Sequence, residues 1–368
     1  MTMIRAAVLV QPGAFEMREF PRPPVGDDDG LLRLEACGVC GTDYEIYAGE
    51  MTRSYGGSAP YRFPMILGHE PVGIIEEIGP AAAKRWGVAR GDRVVVRNWR
   101  QCARCPSCLA GKPERCTNLG GLGLTAIDVA PAVWGAYATH MYLPPAARVF
   151  PISPRVTARA ASTFNALACG FEWSVFLPQL KPGQHIAILG PGQRGLASVL
   201  AARSSGAGKV IVTGLTADQH KLDLALSLGA DLAINVERDD PVALVRELTG
   251  GGADVVVDTT PVAVQPVQQA LDMVRRGGTV ILAGIKGATR TFPFASDTII
   301  EKALTVKGAY GASDEAVRSA IRLIESDAYP ADRLVTDVFT IDQAKQAVES
   351  LGRHTRGKGT INVAIVPK

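Results

Sequence analysis

The stretch "HIAILGPGQRGLASVLAA", residues 185–202, decides the fold. It sets Gly190, Gly192 and Gly195 in a G-x-G-x-x-G spacing, after a short apolar run and at the start of a helical one. In that context the glycines permit a tight turn and a close backbone approach, and the helix N-terminus faces a pyrophosphate. Gln193 and Arg194 lie in the same turn and join the three glycines as predicted cofactor contacts. Working outward, "KVIVTG", "LAINV", "DVVVDTT", "GTVILAG" and "LTVKGAY" repeat the compact apolar texture. Helical segments such as "DQHKLDLALSLG", "PVALVRELTG" and "VQPVQQALDMVRRG" separate them. Strands apolar on both faces, alternating with amphipathic helices, predict an α/β architecture with a parallel sheet of Rossmann type, placed at residues 158–299.

A dinucleotide fold normally carries an acid about twenty residues past the glycines, where it holds the ribose hydroxyls of NAD. Here "KVIVTGLTADQHK" puts Gly214 at that point. A glycine removes the charge that would repel a 2′-phosphate, and Thr216, His220 and Lys221 follow as candidate phosphate contacts. That reading favours NADP, while Asp218, four residues on, keeps NAD open.

The first 150 residues have a different texture, with short β-like runs between Pro and Gly breaks. Four of the seven cysteines fall in "CARCPSCLAGKPERC", as Cys102, Cys105, Cys108 and Cys116. Four thiolates at such short spacing can close a structural zinc site. An iron–sulfur cluster is the competing reading, but the run does not continue in the ferredoxin x3-C-P manner. "EACGVCGTDYEIY" and "MILGHEPVG" add Cys40, Thr42, Asp43, His69 and Glu70. Together they offer a thiolate, an imidazole and carboxylates, a set suited to an open zinc site. Asp43 is placed to orient a ligating histidine. The net charge of +3 comes from intermixed signs, with no basic block, which argues against nucleic acid as a partner. No apolar run approaches a membrane span. The opening "MTMIRAAVLVQPGAF" reads as strand and turn rather than an export signal, so a cytoplasmic location is expected, where clustered cysteines bind metal.

In order, "GVCGTD", the segment "GHEPVGIIEEIG", "GDRVVV", the four-cysteine loop and the glycine motif resemble the zinc-dependent medium-chain dehydrogenases, the family of alcohol, sorbitol and threonine dehydrogenases. The resemblance runs over essentially the whole chain. It implies a β-rich GroES-like catalytic domain at 1–157 and 300–368, with a structural zinc lobe near 98–118, joined to the Rossmann domain. It implies two zinc ions, one catalytic and one structural, and reversible hydride transfer between an alcohol or ketone and NADP or NAD. Cys40 and His69 become catalytic zinc ligands, Glu70 a ligand or an alternating carboxylate, and Thr42 the group that passes the substrate proton. Glu45 stands where many relatives carry a histidine that ends the proton relay. Thr259, Gly284 and Ile285 fall near the cofactor. The remaining zinc neighbour falls on Asn165, with Cys169 four residues later. Three readings stay open there: water completes the shell with Asn165 orienting it, Cys169 ligates, or Cys169 is a small buried hydrophobe. Tyr44, Tyr47, Tyr55 and Tyr61 are candidates for a substrate cleft, against a solvated loop. A homodimer or homotetramer is expected. The alternative function is a zinc- and nicotinamide-binding protein without dehydrogenase activity.

Overall fold

The computed structural model describes residues 3–51, 61–97, 99–100, 105–110, 120–287, 290–326, 328–352 and 359–368. The expected ligands Cys102 and Cys116, the side chain of Cys108, and Tyr55 lie outside the described residues. The chain divides into two units: one takes it to Phe164 and again from Val335, and the other takes Asn165–Leu334.

The first unit is built of antiparallel strands, save that Val335–Thr340 pairs in parallel with Asn362–Val366. Its centre is the pair β1 (Gly30–Val39) and β2 (Glu70–Ile78), which run antiparallel with Gly38 opposite Glu70. Around them the sheet continues through Arg93–Arg97 and Arg148–Pro151 on one side, and Asn362–Val366 and Val335–Thr340 on the other. A three-stranded sheet of Ala14–Phe20, Ile4–Gln11 and Met65–Ile66 completes the layering. Leu31, Leu32, Ile66, Ile75 and Tyr137 are fully buried between these layers. The short helix α1 (Gly41–Tyr47) follows β1 directly.

The second unit is a six-stranded parallel sheet. Its strands are β3 (Ile186–Leu189), β4 (Val210–Gly214), β5 (Leu232–Asn235), β6 (Ala253–Asp258), β7 (Val274–Leu282) and β8 (Thr305–Gly308). Their spatial order is β5-β4-β3-β6-β7-β8, every pair parallel. This is the Rossmann order, whose succession reverses between β3 and β6 and opens a crevice at their carboxyl ends. All residues of β3 and β4 are buried, which is why they read as continuous apolar runs. The helix α2 (Phe164–Phe171) precedes β3, and α3 (Gln193–Ser204) follows it.

Both expected boundaries shift. Residues 300–334 belong with the parallel sheet rather than the first unit, because β8 adds to the edge of β7. The helix Asp314–Glu325 stays with them, its cap Ser313 donating from its backbone N–H to Glu172 at 3.0 Å. The chain re-enters the first unit at Val335, not at 300, and leaves it after Phe164, not after 157. No helix among the described residues is long and apolar enough to cross a membrane.

Candidate metal and nucleotide sites

Strand register assembles the polar cluster of the first unit. Cys40 follows the last residue of β1, and Glu70 opens β2, so antiparallel pairing brings both to the same end. His69 immediately precedes that start. Gly38 makes the approach possible: a Cβ there would collide with the Glu70 carboxylate. Gly68, at φ +92, turns the chain before His69, and a Cβ on it would strike the ring of Tyr137. The result is three buried side chains, Cys40, His69 and Glu70, whose ligand atoms all lie within 4.8 Å of one another.

Asp43 organises the cluster from α1. Its Oδ2 accepts from the Cys40 backbone N–H at 2.9 Å, closing the helix start. Its Oδ1 lies 3.3 Å from His69 Nδ1, close enough for electrostatic contact, though it accepts no well-aligned hydrogen bond among the described residues. Burial would hold the His69 pKa down, but Asp43 and then Cys40 raise it well above the usual value. With Nδ1 turned to a carboxylate, Nε2 is the nitrogen left for a metal, the arrangement in which ligating histidines are usually held. Thiolate, imidazole and carboxylate at this spacing, with a buried carboxylate behind the imidazole, form a donor set that fits zinc.

Thr42 sits half-buried in the first turn of α1, and Glu45 half-buried one turn on. Tyr61 is buried, and its pKa is raised by burial and then by Glu45. Tyr47, one of the cleft candidates, is buried; its hydroxyl donates to Glu349 at 2.6 Å, and its ring stacks on Phe15. Two neighbours went unread in the sequence. The Cys37 thiol is pushed well up by burial and then by Asp43, and it donates to the Gly38 carbonyl at 3.2 Å. The buried Tyr137 hydroxyl is likewise pushed well up by burial and Asp43. Cys37 lies in the same quoted stretch as Cys40, while Tyr137 comes from a segment with no metal-site pattern. Of the four-cysteine lobe, Cys105 is described and buried, beside a short helix at Pro106–Leu109.

Asn165 and Cys169 lie on α2, at 4% and 3% exposure, one helical turn apart and hence on one face. Every residue of that helix is buried, so burial alone does not single out either one.

In the second unit the glycine turn has the expected form. Gly190 takes φ +95, and Gly192 is the N-cap of α3. Thr259 locks the turn, donating its hydroxyl to the Leu189 and Gly190 carbonyls at 2.9 and 3.0 Å. Gln193 opens α3, and Arg194 stacks its guanidinium over Trp173 at 5.6 Å. Gly284 packs against the Thr260 backbone, where a Cβ would collide, and Ile285 is 48% exposed beside it. Lys286 pairs with the fully buried Asp258 at 2.7 Å and donates to Thr260, fixing the loops beyond β6 and β7. Gly214 ends β4, Thr216 follows exposed, and Lys221 is engaged with Asp218 at 2.9 Å. A Cβ on Gly214 would lie 2.8 Å from Pro191 Cγ, so a side chain there would have to displace its neighbours.

Comparison with known proteins places both units in one family. Residues 26–154 match the alcohol dehydrogenase GroES-like domain, and residues 195–326 match the zinc-binding dehydrogenase domain. A Mycobacterium tuberculosis protein named as a probable alcohol dehydrogenase is 41% identical over 370 positions, covering 99% of each chain. An erythritol/L-threitol dehydrogenase of Mycolicibacterium smegmatis is 30% identical over 370 positions, covering 99% of this chain and 98% of its own. Among solved structures, a Sinorhizobium meliloti chain described as a zinc-binding dehydrogenase and bound to NADP superposes with a TM-score of 0.87. It is 29% identical and covers 100% of both chains.

Proposed function

This chain belongs to the zinc-dependent medium-chain dehydrogenase family, and from that premise we propose that it interconverts a secondary alcohol or polyol and its ketone, with NADP in preference to NAD. It is a zinc-dependent oxidoreductase that moves a hydride between an alcohol and a nicotinamide. The observation that carries this reading is the buried cluster of Cys40, His69 and Glu70. Zinc held there supplies Lewis acidity that lowers the pKa of an alcohol hydroxyl.

The chain's own residues do the rest. Asp43, 3.3 Å from His69 Nδ1, orients the neutral imidazole so that Nε2 faces the metal position. Thr42, half-buried beside Asp43 at the start of α1, accepts the alcohol proton as its own hydroxyl proton passes to the Glu45 carboxylate, which stands in place of a histidine. Gly190, Gly192 and Gly195 bring backbone amides to the cofactor diphosphate, with Gln193 and Arg194 beside them. Thr259, Gly284 and Ile285 border the same crevice at the strand ends. Gly214 supports NADP by withholding a charge, and a similar chain was solved with NADP. The polyol reading is supported by the erythritol/L-threitol dehydrogenase relative. A second, structural zinc on Cys102, Cys105, Cys108 and Cys116, a cytoplasmic location and a homodimer or homotetramer complete the proposal on family likeness.

Purified protein is expected to hold about two zinc ions per chain, one open site and one closed. Elemental analysis checks this, and a stoichiometry near one removes one of the two sites. Absorbance of the reduced nicotinamide, followed with polyols, simple secondary alcohols and aromatic alcohols, tests the activity. Zinc and nucleotide binding with no turnover on any of them would favour the non-enzymatic alternative.

A further inference from the structure

We propose that Glu237 is the residue that discriminates between NADP and NAD, supplied from the third strand of the sheet to the corner where the second strand lacks an acid. The inference rests on the nicotinamide reading above and adds a determinant to it.

Strand register makes the placement. The parallel ladder sets Asn235, the last residue of β5, opposite Gly214, the last residue of β4. Val236 continues it, donating to the Gly214 carbonyl at 3.0 Å. Two residues past each strand, Glu237 and Thr216 then meet: the Thr216 backbone N–H donates to Glu237 Oε2 at 2.7 Å. Asn235 holds both partners. Its Oδ1 accepts from the Glu237 N–H at 3.1 Å, and its Nδ2 donates to Thr216 Oγ1 at 3.0 Å.

This corner is where a Rossmann sheet meets the adenosine ribose. Packing explains why the acid does not come from β4. A Cβ on Gly214 would lie 2.8 Å from Pro191 Cγ and 3.1 Å from Leu222 Cδ2, so a side chain at position 214 would require Pro191 and Leu222 to shift. The acid instead arrives from the neighbouring strand end. Its oxygen occupies the amide that an incoming 2′-phosphate would otherwise take. Lys221 does not offset it freely, because Asp218 holds its ammonium at 2.9 Å. The Thr216 amide also keeps the Glu237 carboxyl below its usual pKa, so it is ionised at neutral pH. An ionised carboxylate accepts from a ribose 2′-hydroxyl and repels a 2′-phosphate. Glu237 therefore sets how far the tolerance created by Gly214 extends to NADP.

The competing explanation is structural, with Glu237 only closing the turn at Thr216–Asp218. Glu237→Gln separates the two, because its amide oxygen can still accept from Thr216 while the charge is gone. Calorimetric titration of the full chain with 2′,5′-ADP, AMP, NADP and NAD is the experiment. In Glu237→Gln, 2′,5′-ADP and NADP are expected to bind about tenfold tighter, from loss of one charge against a phosphate at close range. AMP and NAD should change by less than about threefold, since a neutral acceptor remains for a hydroxyl. Unchanged affinities in Glu237→Gln, with Glu237→Ala weakening all four ligands alike, would overturn the proposal in favour of the structural role. If the parent chain prefers NAD, the NADP reading fails, yet the shift on substitution still decides the role of Glu237. If it binds none of the four, the nicotinamide reading falls, and this proposal with it.

Discussion

Cys40→Ala is expected to remove one zinc per chain and to lower kcat/KM for alcohol oxidation by at least about 10³-fold. The magnitude follows from what the ion supplies. A Lewis acid at a developing oxyanion is worth several kcal/mol, and about 4 kcal/mol is a factor of 10³ in rate. Cys40 is the side chain whose loss should be felt most. It offers the softest donor of a buried three-residue cluster, and it stands at the start of α1, where helix and metal both favour a thiolate. Cys37, three residues before Cys40, has its thiol turned to the Gly38 carbonyl, to which it donates at 3.2 Å. Asp43→Asn should cost less, about 10- to 100-fold, because it disturbs the orientation of His69 and leaves all three donors in place. Zinc content by elemental analysis and nicotinamide absorbance are measured on the same preparation. A Cys40→Ala protein that keeps full zinc and full turnover would falsify the assignment of this cluster as the catalytic centre.

What could be read from the sequence, and what could not, divides along physical lines. The glycine turn was legible because its spacing is a local requirement: Gly190, Gly192 and Gly195 lie within six residues, and their neighbours show strand and helix. Cys40, His69 and Glu70 were legible because reactive residue types stood beside glycines, although Gly38 and Gly68 show their purpose only once Glu70 and Tyr137 are seen against them. The tie between Tyr47 and Glu349 was not legible because the two are 302 residues apart. Glu237 was missed for a related reason. Its place beside Thr216 depends on which residues of β4 and β5 face each other, and parallel register leaves no local mark. The end of the parallel sheet was placed too early at 299, although "LTVKGAY" reads as a strand: that β8 pairs with the edge of β7, and not with the first unit, is a matter of register and leaves no local mark.

Gly195→Ala is expected to weaken NADP and NAD alike by at least about 100-fold while leaving zinc content unchanged. The reason is steric and lies in backbone rather than in side chains. A Cβ at position 195 would collide with the Gly190 carbonyl oxygen, 3.1 Å from that residue's carbon and 3.2 Å from Thr259 Oγ1. No flexible side-chain end is available to yield. Thr259 also ties down the Leu189 and Gly190 carbonyls, so relief requires the turn to move away from α3. The amides at the helix start then no longer converge on the diphosphate. Charge-assisted hydrogen bonds are worth about 1.5–3 kcal/mol each, so losing one or two accounts for a factor near 100. Gly192→Ala is the informative contrast. Its Cβ meets nothing within 4 Å in the free protein, and its φ of −74 suits any residue. It should leave the melting temperature of the nucleotide-free protein unchanged and still weaken binding, since its close approach is to the ligand. Gly195→Ala should lower both. Equal melting temperatures in the two variants, or nucleotide affinity in Gly195→Ala within a few-fold of the parent, would show that this turn is not the rigid cradle its packing describes.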